Sequence, residues 1–278
     1  MSTITTTPAG HLRGDPEPAS ESARFLRVLH SEWTKIRTLR STFYTLAVFV
    51  VLAVGMTAVI TVGSGGEYAE MAAEERAAFD PLELSMFSLI FAQLAVAVLG
   101  VLVMTNEYAT GMIGPSLMAV PRRGHLLAAK TIAYTLLAGL AGIPTAFAMF
   151  LTGQVILDMQ GAPSAALIDD GVLETVVGAG LYFTALGPIA VSVGTLLRST
   201  AGGVATLVAG LLLAPSLTGT LPETWAEPVQ KYYPTLAGAQ FVIDHPAGLG
   251  PWAGFGLMCA FAAVLVAAAF VVLRRRDG

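Results

Sequence analysis

The sequence predicts an all-α integral membrane protein, with six transmembrane helices preceded by an amphipathic interfacial helix. Three observations predict it. The 278-residue chain is 55% apolar and only 12% charged, with a mean hydropathy of +0.70, whereas a soluble domain carries roughly a quarter charged residues. Six apolar runs, at about 43–63, 84–104, 126–152, 172–196, 202–220 and 252–273, each approach the ~20 residues that a helix needs to cross a hydrocarbon core. Lys and Arg, finally, are concentrated in alternate connecting segments. The net charge of −4 argues against a nucleic-acid binder. The single cysteine, Cys259, lies in an apolar run, so neither a disulfide framework nor a cysteine metal site is expected.

Residues 1–21 contain Thr, Pro and Glu without an apolar stretch, and are expected to form a disordered tail with no cleaved signal. Residues 22–278 form one six-span domain. Ahead of the first span, Phe25, Leu26, Leu29, Trp33 and Ile36 fall within an arc of roughly 100° at helical spacing. Arg24, Arg27, Ser31, Thr34 and Lys35 face the other way, and Glu32 is an exception at the edge of the apolar stripe. A basic amphipathic helix with Trp on its apolar face suits a membrane surface. Packing against the chain's own helices is the competing reading, and both can hold.

The cations set the orientation. Thirteen of the 15 Lys and Arg lie before the first run, in the 105–130 segment, in the 197–201 turn, or after the last run. Only Arg76 and Lys231 lie in the alternate segments. The positive-inside rule therefore places both termini and residues 105–130 in the cytoplasm, and 64–83, 153–171 and 221–251 outside. The first outer segment is acidic and helix-friendly. In the last, Leu236, Ala237, Phe241, Val242 and Ile243 suffice for a half-buried segment dipping toward the membrane.

Charge is nearly absent within the runs. Glu174 sits at an outer end, and Lys130, one turn from the cytoplasmic end, is expected to snorkel to the headgroups. Gln93 suits an interhelical hydrogen bond. Pro144 and Gly187-Pro188 are expected kinks, and Gly139, Gly142, Gly178, Gly202, Gly203, Gly210, Gly250 and Gly254 permit close helix packing. The lack of mid-span ionisable residues counts against an ion-coupled carrier. No hydrolase motif is present, and His11, His30, His125 and His245 are too scattered for a metal site. The string Val62-Gly63-Ser64-Gly65-Gly66-Glu67 looks like the signature of ABC-type ATPases but reads as a turn. The dipeptide Gly-Lys never occurs, so there is no phosphate-binding loop. No cofactor is expected, and any ATP chemistry must come from another polypeptide.

The polar, basic loop Thr105–Lys130 is longer than a plain connection needs. Glu107 and Gly111 open it, Pro115 is placed to start a short helix through Val120, and Pro121-Arg122-Arg123 closes it. By spacing alone, Arg122 and Arg123 are as well explained as orientation charges. The order Glu107-Tyr108-x-x-Gly111, Leu117, Pro121-Arg122-Arg123, Ala129-Lys130 resembles the cytoplasmic loop of bacterial ABC-2 type permeases. The entry run Ser31-Glu32-Trp33-x-Lys35-x-Arg37-x-x-Arg40-Ser41 and the outer Tyr233-Pro234 with Ala237-Gly238 are similar to that family as well.

The resemblance covers nearly the whole chain from about residue 22. It implies a non-enzymatic transport subunit in a bacterial cytoplasmic membrane, most members being exporters. It also implies that a separately encoded ATPase binds the ATP and that a second permease chain completes the pathway. By the same resemblance, Glu107, Gly111, Arg122 and Arg123 belong to the ATPase-coupling element, and Phe25, Leu29, Trp33 and Ile36 to the interfacial helix. Ala109, often basic in relatives, Met112, often Thr, and Gly114-Pro115 depart from the family pattern. A non-transporting membrane anchor or regulator is the alternative from another class.

Overall fold

The computed structural model describes residues 20–111, 123–243 and 248–276. The described residues are 86% helical, with no strand among them, and six of their helices are long and apolar enough to cross a membrane. The amphipathic helix Glu21–Thr38 starts at Ser20, whose hydroxyl accepts from the Ala23 N–H at 3.3 Å. It stops at Leu39, a single extended residue (φ −73°, ψ 122°), and the first long helix, Arg40–Glu67, follows at once. The Val62–Glu67 string is thus helical and not a turn.

The segment between the first two long helices is a helical excursion, as expected: a 3-10 turn at Tyr68–Glu70, then Ala73–Ala77 and Pro81–Met86. Asp80 caps the last of these by accepting from the N–H groups of Leu82 and Glu83 at 2.8 and 3.1 Å. The run expected at 84–104 is therefore interrupted near its start, and the second long helix is Leu89–Ala109. The third, Arg123–Met159, continues past the expected end at residue 152. Its 37 residues make it about 55 Å long, well beyond a hydrocarbon core. The fourth is Val172–Leu197 and the sixth Pro251–Arg276. Pro144 and Pro188 lie inside unbroken helices.

The fifth crossing changes pitch: α-helix Thr200–Val208, a π-helical turn Ala209–Leu213, α-helix Ala214–Leu217, then a 3-10 turn to Thr220. Tyr233 donates to the Gly210 carbonyl at 2.7 Å, occupying an acceptor in the π-helical turn. Beyond it, Glu223–Tyr232 and Pro234–Gly238 lead into the expected half-buried segment, where Ala237, Phe241 and Val242 are buried.

The fourth helix is the most buried of the six and the fifth the least. It lies against the second, third and sixth helices, and small residues set the spacing. A Cβ on Gly100 would meet the Ala190 Cβ at 2.5 Å and the Tyr134 ring at 2.8 Å. Tyr182 donates to the Gln93 side-chain oxygen, the interhelical bond expected of Gln93, while Tyr134 donates to the Val96 carbonyl. Near the other end, Gln154 donates to Ser85 Oγ (2.8 Å) and the Pro81 carbonyl (3.0 Å) and accepts from the Ala165 N–H. Thr57 and Ser88 share a hydroxyl contact at 2.7 Å. These bonds satisfy buried polar groups where lipid offers no alternative partner. Not every expected glycine contact is present. Gly202 meets only its own Ser199, and Gly250 faces open space with φ +84°.

Overpacking gives the test. Gly100→Val is expected to lose about 1–3 kcal/mol, because neither Ala190 nor Tyr134 can give way without moving a helix. Gly55→Ala, with nothing within 4 Å of the added carbon, is expected to be neutral or slightly stabilising. Thermal unfolding in mild detergent reads both.

Candidate functional site

The buried apolar stripe of the amphipathic helix carries one acid. Ile36 is buried and Leu29 and Trp33 pack against the core, and Glu32, four residues before Ile36, shares their face with only 2% of its surface exposed. Placing Glu32 at the edge of that stripe understated its burial. Leu26, by contrast, is exposed, so the expected arc is only partly covered by the chain. Phe25 meets His125 of the third helix edge to face at 5.7 Å, and Glu21 lies 3.5 Å from the His125 Nε2.

What Glu32 meets is Lys130. The Lys130 Nζ lies 2.6 Å from Glu32 Oε2 and 2.6 Å from Glu107 Oε1, and the residue is 2% exposed. Lys130 therefore does not snorkel to the headgroups. It is enclosed between two carboxylates from different elements, 98 and 23 residues away. Lys35 closes the cluster from the solvent side, its Nζ 2.6 Å from Glu32 Oε1 and 3.4 Å from Glu107 Oε1. Although Lys35 was expected on the polar face, its ammonium turns back to the acids. The cluster holds two negative and two positive charges.

Two facts of electrostatics explain the arrangement. Glu107 sits in the last turn of its helix, Leu89–Ala109, where the macrodipole disfavours an anion. It needs cations, and the two lysines supply them. A lone buried Lys130 would carry a desolvation cost of several kcal/mol, which two short charge-assisted bonds offset. For Lys35, burial lowers the pKa, but Glu32 and Glu107 outweigh it and hold the ammonium above its ordinary value. A raised lysine pKa contributes stability below the ordinary lysine range, lost only as pH climbs through the folded value. The contact thus persists throughout the physiological range.

The second helix's end has further ties. Thr200 donates to Thr105 Oγ1 at 2.8 Å, and the Arg198 guanidinium stands 5.3 Å from the Tyr108 ring centroid. Arg198 ends the fourth helix in the left-handed region (φ 53°). Glu107 Oε2 is buried, with no hydrogen-bond partner among the described residues.

Of the expected coupling residues, Glu107 joins the cluster. Gly111 follows the helix end with φ +69° and faces solvent, a helix-stop conformation that favours glycine on its own account. Arg122 and the Pro115–Val120 helix lie outside the described residues, and Arg123 opens the third helix. The role of Lys130 and Glu32 as partners is the feature that sequence periodicity misses, though an acid on an apolar stripe and a lysine inside an apolar run are its visible signals. No group of three potential metal ligands occurs among the described residues.

Charge neutrality makes a sharp prediction. Lys130→Met leaves two acids facing one half-exposed lysine and is expected to cost about 3–5 kcal/mol; Glu32→Gln costs less, since Lys130 keeps Glu107. The double variant restores neutrality and is expected within about 1 kcal/mol of wild type, a strongly non-additive cycle in thermal unfolding.

In comparisons with known proteins, no family model matches the chain and no curated protein matches it.

Proposed function

We propose that this chain is the membrane subunit of an ABC-2 type exporter in a bacterial cytoplasmic membrane, driven by a separate ATPase and completed by a second permease chain. The observation that carries this reading is the Glu107–Lys130 ion pair, which draws together the two ends of the basic loop. A connector carrying only orientation charges has no use for a fixed root. A docking element needs one, because a partner's push is transmitted only through a base that does not yield.

In this reading ATP is bound and hydrolysed by the partner, and the loop receives its movement. The six helices provide the wall of a pathway shared with the second permease chain. The fifth helix, least buried of the six, leaves most of its residues to lipid or a neighbouring chain. The six-helix layout and the cation asymmetry support cytoplasmic termini. Ion-coupled transport is disfavoured, because the Asp, Glu, Lys, Arg and His residues of the described long helices gather toward helix ends and none lies mid-span.

Two experiments test it. A cysteine at Ser116, in a background lacking the exposed Cys259, is expected to resist an impermeant thiol reagent on intact cells; labelling would reverse the orientation. Glu107→Ala and the double change Arg122→Lys, Arg123→Lys are expected to insert normally yet retain less ATPase on co-purification. Lys preserves the charge but not the planar donor fork, and a lost partner in a buried interface costs about 2–5 kcal/mol. Wild-type recovery in both would return the loop to a connector.

A further inference from the structure

We infer that the amphipathic helix is a lever that ties the docking loop to the first long helix, with Glu32 and Lys35 as its positioning residues. The inference rests on the proposed function and names the route by which movement leaves the loop. Glu107 and Lys130 stand at the loop's two ends, and both touch the amphipathic helix through charge: Lys130 to Glu32 at 2.6 Å, Glu107 to Lys35 at 3.4 Å. The helix therefore cannot slide along the third helix without breaking a buried ion pair. Apolar contacts at Leu29, Trp33 and Ile36 allow sliding at small cost, whereas separating buried opposite charges does not. The cluster supplies the grip that the stripe lacks.

The other end of the lever is as well defined. One extended residue, Leu39, separates the amphipathic helix from Arg40, and its N–H still bonds the Lys35 carbonyl at 3.1 Å. There is no slack between the two helices. The first long helix packs on the second and third helices but leaves most of its surface outside the core. It is thus among the least restrained of the six, and the one joined directly to the lever. Movement at the loop root passes through Lys130 and Glu107 to Glu32 and Lys35, along the helix, and through Leu39 into the first long helix.

Two variants of the full chain separate this from a purely stabilising role. The first is the charge-neutral double change Glu32→Gln, Lys35→Met, which removes both charge contacts of the amphipathic helix and leaves the Glu107–Lys130 pair whole. The second inserts two glycines between Leu39 and Arg40, leaving the cluster whole but loosening the joint. Each is purified from native membranes with the ATPase that the wild-type chain retains, reconstituted in nanodiscs, and assayed for ATP turnover relative to the same ATPase stripped from the complex. Both variants are expected to retain wild-type amounts of ATPase while the turnover ratio falls about fivefold or more, the scale of an ordinary coupling free energy. A wild-type ratio in either variant overturns the lever and leaves the proposed function standing. If the wild-type chain itself retains no ATPase, the proposed function fails and the lever with it.

Discussion

A lysine ammonium enclosed by protein is tolerable only if opposite charge meets it, and Lys130 meets it twice, through Glu32 and Glu107 at 2.6 Å each. Each of these groups would be costly alone. Together with Lys35 they form a neutral cluster that binds three elements, the amphipathic helix and the second and third long helices. In a bilayer the hydrophobic effect does little to distinguish one helix partner from another, because lipid is as apolar as a leucine side chain. Charge and close packing have to do so instead. The placement of the amphipathic helix, the meeting of the loop's two ends and the position of the second helix's C-terminus all depend on this cluster.

The rest of the bundle uses the same two devices on neutral groups. At Gly100 a missing Cβ lets Ala190 and Tyr134 approach, while the Tyr182–Gln93 hydrogen bond joins the fourth helix to the second. The network of Gln154 with Ser85 and the Pro81 carbonyl holds the short Pro81–Met86 helix within the fold. The fourth helix, touched from several sides, becomes the core; the first, fifth and sixth keep much of their apolar surface outside it. The chain is thus rigid at the centre and at the loop root, with less restrained helices around them.

Much of this is legible in the residues, because runs of about 20 apolar residues have few other uses. All six apolar runs coincide with long helices, and Gln93 bonds across helices as its isolation among apolar neighbours suggests. The misreadings share one cause. Glycine-rich Val62–Glu67 reads as a turn by local propensity, yet continues a helix whose environment overrides that propensity. Lys130 reads as a snorkelling cation because periodicity gives the face of a helix and not what lies against it. The acid it meets is 98 residues away, on a helix whose own period marks Glu32 only as an exception. Two opposite charges on apolar faces, both near the cytoplasmic end of the predicted topology, are the sequence-level trace of the cluster.

The most direct measurement of the account is cross-linking between the amphipathic and third helices in native membranes. Cysteines replacing Phe25 and His125, whose rings lie 5.7 Å apart, in a chain with Cys259→Ser, sample the docked position with a short bifunctional thiol reagent. The account predicts efficient cross-linking within one chain when Lys130 is present, and a marked fall when Lys130→Met is added. Efficient cross-linking that ignores Lys130, or none at all in its presence, would contradict it.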